Sequence, residues 1–308
     1  IAGKENPNVV ALCADLTDST KTSVFKKEFP DRFVEMGITE QNMASLASGM
    51  AAVGKIPFIS SYAMFSPGRN WEQIRTTICY NNQNVKIAGA HSGVSVGPDG
   101  ATHQAIEDIA ITRVIPNMVV IAPCDSIEAK KATIAAAKYK GPVYIRFTRE
   151  KTPVMTTDET PFEIGKAEIF REGKPARHAS QGDAGGDVTL IGCGPLVYEA
   201  LKAAEELAKE GIEAEVINNH TIKPMDKDTI LKSVKKTGCV VTIEEHQAAG
   251  GMGSAVSEIL SQNYPAPMEI IGVQDRFGES GEPSELLEKF GLTAKNIAEA
   301  VKRVLKRK

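Results

Sequence analysis

Short apolar runs alternate with amphipathic stretches along the whole chain. In the first half the runs are rich in Val, Ile, Ala and Phe, and they cover residues 8–13, 32–35, 57–61, 85–90, 117–122 and 142–147. The pattern resumes at 188–191, 214–217, 240–243 and 268–271. Short apolar runs of this kind are typical of parallel strands that are buried on both faces. The sequence therefore predicts an α/β fold with mostly parallel sheets.

Helices are predicted between these strands. Residues 40–53 carry apolar side chains at helical spacing, and 195–211 have a continuous apolar face. Thr39, Thr102 and Thr293 stand where an N-cap is expected, and Asp125 with Glu128 resembles a capping box. The remaining predicted helices are 70–80, a helix that begins near 102 with His103 in its first turn, 125–141, 226–236, one after Gly253, and one from 293.

The order of elements predicts two doubly wound domains. The first spans residues 1–152, the second and smaller one spans 187–308, and 153–186 form a linker with a Thr- and Pro-rich beginning. Within the linker, residues 174–186 are polar and rich in Gly and Ala, which is too little apolar surface to order a segment. We expect a mobile surface loop there, and His178 has no assignable role.

Composition narrows the class of protein. A net charge of -3 with both signs interspersed gives no basic stripe, so nucleic acid is not expected as a partner. No apolar run reaches the ~20 residues that a membrane helix needs, so no membrane contact is expected either. The five cysteines are widely separated and lack CxxC spacing. They indicate buried thiols of a cytoplasmic protein, with neither a zinc site nor a disulfide framework.

Candidate chemistry lies where predicted strands end. Glu40 opens a helix after a Gly37 turn, and ligands of open α/β sheets bind at such junctions. Taken alone, Glu40 is better explained as a surface residue that complements the helix dipole. Tyr62 and Phe65 follow the strand at 57–61, where they could be ordinary core residues or stack on a flat ligand.

A glycine-rich loop carries two histidines. The stretch AHSGVSVGPDGATHQ, residues 90–104, contains His91, Asp99 and His103 at a spacing that does not fit a metal site. Arg149 follows the last strand of the first domain, where an arginine could bind a phosphate group with two parallel hydrogen bonds. The turn after the first strand contains Asp15 and Ser19, and helix capping explains such residues equally well.

Read together, MGITEQNMA around Glu40, the Tyr62 and Phe65 pair, the H91…D99-G-x-T-H103 set and Arg149 resemble the pyrimidine-binding half of transketolase. NNHTIKPMD and EEHQAAGGMGSAV resemble the C-terminal domain that follows it in that family. The resemblance covers nearly the whole chain. It implies a thiamine diphosphate pyrimidine-binding domain followed by a transketolase C-terminal-like domain.

The resemblance implies a cofactor site. Glu40 would hydrogen-bond the cofactor's aminopyrimidine ring and so favour the form of the ring that removes the thiazolium proton. Phe65 would lie against the ring, Tyr62 would line the same pocket, and Asp15 would lie near the cofactor.

The resemblance also implies a substrate site for sugar phosphates. His91, Arg149 and Ser19 would contact the phosphate end. Asp99 would bind a sugar hydroxyl, and His103 would lie beside the reacting carbonyl as a second catalytic residue. The reaction would move a two-carbon ketol unit from a ketose phosphate to an aldose phosphate.

The diphosphate and its Mg²⁺ need a GDG…N type loop, and the sequence contains none. Either another chain carries this loop, as in split transketolases, or this chain is a fragment. We expect an N-terminal diphosphate-binding subunit as the partner that holds Mg²⁺. The active complex would be a heterotetramer formed by self-association across a two-fold axis.

The sequence is also compatible with other functions. Chains of 1-deoxyxylulose-5-phosphate synthase or the beta chain of a 2-oxo acid dehydrogenase have similar domains, and a transketolase for an unusual sugar would have nearly the same sequence pattern. A non-catalytic assembly subunit has no need for Glu40, Phe65, Asp99 and His103 together. A nucleotide-binding oxidoreductase is disfavoured because glycines 250, 251 and 253 lack GxGxxG spacing and fit tight helix-to-strand packing better.

Overall fold

The computed structural model describes residues 1–174 and 185–308. The mobile loop expected within 174–186 falls mainly between these two ranges, and so does His178. Those two expectations therefore lie outside the described residues.

The first sheet has seven strands in the order β10-β5-β6-β4-β3-β1-β2. Its strands are β1 (Val9–Cys13), β2 (Phe33–Glu35), β3 (Ile56–Tyr62), β4 (Lys86–Ala90), β5 (Val119–Ile121), β6 (Val143–Arg146) and β10 (Thr221–Lys223). All neighbours pair in parallel except β10, which runs antiparallel to β5. The predicted parallel arrangement is confirmed, but this edge strand comes from the second half of the chain.

The second sheet has five strands in the order β12-β11-β8-β9-β7. They are β7 (Glu168–Arg171), β8 (Val188–Gly192), β9 (Ala214–Asn218), β11 (Val240–Gln247) and β12 (Met268–Val273). Here β7, from the segment predicted as a linker, pairs antiparallel with β9, and the other pairs are parallel. A strand of the predicted second domain thus joins the first sheet, and a strand of the predicted linker joins the second sheet. The division at 152 and 187 stays a prediction.

Helices connect the strands. They are α1 (Ala2–Glu5), α2 (Ser23–Glu28), α3 (Glu40–Ala52), α4 (Trp71–Gln73), α5 (Asp108–Arg113), α6 (Ser126–Lys138), α7 (Val197–Lys209), α8 (Lys227–Thr237), α9 (Met252–Asn263), α10 (Pro283–Lys289) and α11 (Ala294–Leu305). A π-helix, Ile74–Cys79, continues α4, and 3₁₀ turns span Pro30–Arg32, Val94–Asp99 and Gly194–Leu196. None of the described helices is long and apolar enough to cross a bilayer.

One apolar core runs through both halves of the chain. Strand residues such as Leu12, Ile59 and Ile87 of the first sheet belong to the same buried cluster as Ile230 of α8 and Val256 of α9. A second cluster fills the space between the second sheet, α7 and α11. Because the first core is shared, the two sheets hold each other in place by apolar burial.

The strand order places the candidate residues at one edge. From β1 the chain moves first to β2 on one side and then to β3 and β4 on the other, so the order reverses beside β1. Side chains that follow parallel strands meet at the carboxyl edge, and ligands of doubly wound folds bind at such a reversal. Asp15 follows β1, Phe65 follows β3, His91 follows β4 and Arg149 follows β6.

Two predicted capping interactions are wrong. Thr39 is the residue before α3, but its hydroxyl donates to the carbonyl of Met36 at 2.8 Å and caps nothing. Thr293 donates to the Asn296 side chain at 2.6 Å, again without a cap bond to α11. Asp125 does accept the N–H of Glu128 at 2.9 Å, so the predicted start of α6 is confirmed.

The helix predicted to begin near Thr102 is also wrong. Residues 101–103 form a turn, and the next helix begins at Asp108. Ala105 makes a parallel β-bridge with Ser92, and Gly93 donates its N–H to the Ala105 carbonyl at 2.8 Å. This pairing holds the chain extended after His103, because a helix there would break the bridge between Ser92 and Ala105.

The glycines at 250–253 pack a helix against a strand, as predicted. A side chain at Gly253 would lie 2.6 Å from the Thr242 hydroxyl. The N-terminus of α9 is filled by the Glu244 carboxylate, which accepts the N–H groups of Met252 and Gly253 at 2.7 Å each. A carboxylate from the same chain satisfies the donors that a dinucleotide phosphate would use.

The stability of the fold is expected to fall in mild acid because of His220. This ring is fully buried, stacks on Phe162 at 4.3 Å between centroids, and contacts Thr221. Burial lowers the pKa of His220 to about 4 from 6.5. A depressed histidine pKa means that the unfolded chain binds the proton first, so stability is lost as pH falls from 6.5 towards 4.

The loss attributable to His220 is at most about 3 kcal/mol. Urea unfolding of the wild type and His220→Gln at several pH values between 7 and 4 measures it. The variant lacks this titration, so its stability should change less with pH. Parallel curves for the two proteins would contradict the assignment.

Candidate functional site

Glu40 is held at the start of α3 with its side chain inside the protein. The chain turns at Gly37, whose φ is +68°, and Glu40 is the first residue of the helix. Its residue surface is only 2% exposed. A carboxylate in such a place needs a partner, because an isolated buried charge is costly. The dipole-complementing surface reading of Glu40 is therefore excluded.

The partner is Arg69, which the sequence did not reveal. Its Nη1 donates to Glu40 Oε2 at 2.8 Å, and its guanidinium carbon lies 4.6 Å from the centroid of the Phe65 ring. The next residue, Asn70, is fully buried and donates to the Glu40 carbonyl at 3.1 Å. The turn after β3 thus delivers both a cation and an amide to the start of α3.

Four rings form a cluster beside Glu40. Tyr62 stacks on His91 at 4.1 Å between centroids and lies 6.3 Å from Phe65. His103 meets the Phe65 ring edge to face at 5.4 Å. The structure therefore brings together, from the end of β3 and from the loop after β4, the aromatic and histidine residues that the sequence singled out. A half-buried aromatic surface beside a carboxylate suits a planar heterocycle with a donor edge.

Asp99 and Arg149 form a second group at the same edge. Arg149 Nη1 lies 3.5 Å from Asp99 Oδ1 and donates to the Val96 carbonyl at 2.7 Å. The Arg149 side chain is 35% exposed, so part of the guanidinium faces solvent. The remaining N–H donors are available to an anionic group such as a phosphate.

His91 is neutral at physiological pH. Burial lowers its pKa to about 4, and the positive charges of Arg149 and Lys21 act in the same direction, while Asp99 opposes them. Its Nδ1 is buried without a hydrogen-bond partner among the described residues. Arg149 and Lys21 therefore add positive charge near a neutral imidazole, which favours an anion at this edge.

Asp15 and Ser19 lie on the exposed turn after β1. Asp15 has φ +58°, and its N–H donates to Glu35 Oε1 at 2.8 Å. Burial would raise the pKa of Glu35, but hydrogen bonds from Thr17, Asp15 and Gly37 outweigh it and lower that pKa. Glu35 thus fixes the turn that carries both predicted residues, a role that the sequence analysis missed.

The loop from His91 to His103 is held by the second half of the chain. The Glu245 carboxylate of β11 accepts the Ser95 N–H at 2.6 Å, and a side chain at Gly93 would lie 2.3 Å from that carboxylate. Gln104 Nε2 donates to the carbonyls of Val94 and Glu279 at 3.0 and 2.9 Å. The second domain therefore positions the loop although it lends no predicted site residue.

Replacing Glu245 with alanine is expected to loosen this loop. The Ser95 amide would lose its acceptor inside the protein, so its hydrogen exchange should accelerate at least ~10-fold, as expected for a lost charge-assisted bond of about 1.5–3 kcal/mol. Exchange measured by mass spectrometry or NMR checks this. Glu213→Ala, on the opposite side of the second sheet, is the control and should leave the Ser95 amide unchanged. Equal exchange in the Glu245 variant would contradict the proposed support.

The predicted residues fall into three groups in space. Glu40, Phe65, Tyr62, His91 and His103 share one cluster, Asp99 pairs with Arg149, and Asp15 and Ser19 occupy the neighbouring turn. The sequence analysis missed the residues that pair with these groups or position them: Arg69, Asn70, Lys21, Glu35, Gln104 and Glu245. Of these, Glu35 ends β2 at the carboxyl edge, so its position was a usable signal. The described part of the chain has no group of three or more His, Cys, Asp or Glu side chains able to hold a metal ion.

Two family models and several known proteins match the chain. The family model described as transketolase, pyrimidine binding domain, matches residues 2–155, and the model described as transketolase, C-terminal domain, matches 178–297. A protein of Methanocaldococcus jannaschii named as a transketolase C-terminal section is 45% identical over 308 residues, which cover 99% of this chain and 93% of that one. A subunit of a 6-deoxy-6-sulfo-D-fructose transketolase from Clostridium sp. strain MSTE9 is 42% identical over 305 residues, covering 99% and 91%.

A solved structure shares the fold. It is described as a split gene transketolase, an inactive beta4 tetramer, and it matches with a TM-score of 0.89 and 46% identity. The match covers 99% of this chain and 94% of that one.

Proposed function

Because this chain belongs to the transketolase family, we propose that it is the pyrimidine-binding subunit of a two-chain transketolase that moves a two-carbon ketol unit from a ketose phosphate to an aldose phosphate. The observation that carries the proposal is the buried Glu40 carboxylate, which Arg69 joins to the Phe65 ring, with His103 packed against the same ring. The described residues fit a pyrimidine ring. They do not fit the diphosphate and Mg²⁺, for which we propose a separate N-terminal subunit.

Glu40 and Phe65 are proposed to bind the cofactor. Thiamine diphosphate, when bound, supplies the chemistry of breaking a carbon–carbon bond next to a carbonyl. Glu40 would accept a hydrogen bond from the pyrimidine edge and hold the proton there. Phe65 would support the flat face of the ring, and Tyr62, packed between Phe65 and His91, would close the pocket wall. Asp15 would stand near the cofactor on the turn after β1.

His103 is proposed to act beside the substrate carbonyl. Its Nδ1 lies 2.9 Å from the Thr102 hydroxyl. When Thr102 donates this bond, Nε2 carries the proton and is free to donate to an oxygen that gains negative charge. The Phe65 edge contact fixes the plane of the ring.

Arg149, His91 and Ser19 are proposed to bind the phosphate end of the sugar, with Lys21 nearby. Asp99 would accept a hydrogen bond from a sugar hydroxyl. Because Asp99 also pairs with Arg149, the Arg149 guanidinium would contact both the Asp99 carboxylate and the phosphate. Holding both ends of the sugar would keep the reacting carbonyl in one orientation.

We propose that the active complex contains two copies of each subunit in the cytoplasm. The solved relative supports the need for a partner, because its beta subunits alone form an inactive tetramer. The five free, buried cysteines suit a reducing compartment.

Reconstitution tests the function. The purified chain would be mixed with the diphosphate-binding subunit, Mg²⁺ and thiamine diphosphate, and ketol transfer from xylulose 5-phosphate to an aldose phosphate would be followed. Each subunit alone is the control and should be inactive. A panel of other sugar phosphates, a 6-deoxy-6-sulfo sugar and pyruvate as donors would separate transketolase from the synthase and dehydrogenase alternatives. Cofactor binding without transfer from any ketose would remove the assignment.

A further inference from the structure

Arg69 makes two contacts at once, and both are with residues of the proposed cofactor site. Its Nη1 donates to Glu40 Oε2 at 2.8 Å, and its guanidinium lies over the Phe65 ring at 4.6 Å. A guanidinium is planar, carries N–H donors and stacks on aromatic faces. A pyrimidine ring whose nitrogen facing Glu40 carries a proton, and which lies on Phe65, would present a similar flat shape and an N–H donor to the same carboxylate.

The two groups compete for the same space. Only 2% of Glu40 is exposed, so little of its carboxylate remains for a second partner while Arg69 is bound. We propose that Arg69 is a placeholder for the pyrimidine ring: it occupies the ring's position in the subunit without cofactor and must swing out before the cofactor binds. This inference rests on the proposed function of Glu40 and Phe65.

The surroundings of Arg69 allow such a movement. Its backbone is fixed in a tight turn, because Gly68 lies against the Met64 carbonyl so closely that a side chain there would be 1.9 Å from the oxygen, and Arg69 N donates to the Phe65 carbonyl at 3.0 Å. Its side chain is 46% exposed. The backbone therefore stays in place while the side chain has open solvent to turn into.

A placeholder also serves the subunit when it is alone. Removing all partners from the Glu40 carboxylate would leave a buried charge unpaired, which is costly. Arg69 satisfies that charge and covers the exposed part of the Phe65 ring until the partner subunit and cofactor arrive. We therefore expect the cofactor to bind more weakly and more slowly than it would to a site that Arg69 does not occupy.

Calorimetric titration of the reconstituted complex with thiamine diphosphate and Mg²⁺ tests the placeholder. Arg69→Met keeps the apolar stem but removes the donors and the charge, so the variant should bind the cofactor about tenfold more tightly, as expected if the side chain is turned out in about one molecule in ten. Arg75→Met, an exposed arginine on the π-helix that follows, is the matched control and should bind like the wild type.

Stopped-flow binding gives a second measurement that does not depend on turnover. The wild-type association rate should level off as cofactor concentration rises, because release of Arg69 becomes limiting, whereas the Arg69→Met rate should rise linearly. Equal or weaker binding by the variant would overturn the inference, as would a cofactor-bound structure in which Arg69 still contacts Glu40. If neither the wild type nor Arg69→Met binds the cofactor, the proposed function itself fails. If both bind it equally well, only the placeholder role of Arg69 fails.

Discussion

Replacing Glu40 with glutamine is expected to lower ketol transfer by the reconstituted complex at least ~100-fold, because proton transfer by a positioned side chain contributes about 10²–10⁴ to the rate of such reactions. Glutamine keeps the size of the side chain and still accepts a bond from Arg69, but it cannot hold a proton at the pyrimidine edge. The change should therefore act on kcat far more than on folding. Steady-state kinetics at saturating cofactor measures it.

Two controls make the Glu40 result interpretable. Glu72→Gln changes an exposed carboxylate on α4 and should leave kcat unchanged. Urea unfolding of Glu40→Gln should give a stability within about 1 kcal/mol of the wild type, because one hydrogen bond to a partly exposed arginine is weakened but not removed. Retained turnover in a complex that binds the cofactor would end the role proposed for Glu40.

Replacing Asp108 with alanine is expected to destabilise the fold by about 3–5 kcal/mol, because it leaves a buried arginine without its counter-ion. Arg146 Nε donates to Asp108 Oδ2 at 2.8 Å, and Tyr144 donates to the same oxygen at 2.6 Å. Both side chains of the ion pair are at most 3% exposed. Burial alone would lower the pKa of Arg146, but Asp108, together with Tyr144 and Glu245, outweighs burial and raises that pKa, so the guanidinium stays charged.

The Asp108 network also joins the two halves of the chain. Arg146 Nη2 donates to the Glu245 carbonyl of β11 at 2.7 Å, next to the carboxylate that holds Ser95. Denaturant unfolding measures the effect. Glu206→Ala removes an ion pair with Lys209 whose side chains are 62% and 69% exposed, so it should cost no more than about 0.5 kcal/mol. If Asp108→Ala also lowered the free energy of unfolding by no more than about 0.5 kcal/mol, the buried network would contribute little to stability.

Secondary structure was predictable where the local pattern and the tertiary contacts agree. The runs around Leu12, Ile59 and Ile87 became parallel strands because all residues of β1 and most residues of β3 and β4 are buried. The Thr102 helix failed because the Ser92 to Ala105 bridge, which local propensity does not encode, holds the segment extended. Thr39 and Thr293 failed as caps because their hydroxyls are turned to donate to the Met36 carbonyl and the Asn296 side chain, and neither accepts a helix N–H.

The site residues were predictable as positions at strand ends but not as contacts. Glu40, Phe65, His91 and Arg149 follow strands or open a helix, and parallel strands bring such positions to one edge. The pairing of Arg69 with Glu40 spans 29 residues, and that of Glu245 with Ser95 spans 150. Only the packed sheets determine those partners.

The sequence by itself determined the class of fold, the edge at which the candidate residues lie and the free state of the cysteines, because strand periodicity, parallel connections and cysteine spacing are local properties of the chain. The tertiary structure alone decided that Arg69 covers Glu40, that Glu245 and Gln104 hold the loop of His91 and His103, and that β10 joins the first sheet. These contacts join residues far apart along the chain, and their energy depends on burial and distance, which exist only once the two sheets have packed together.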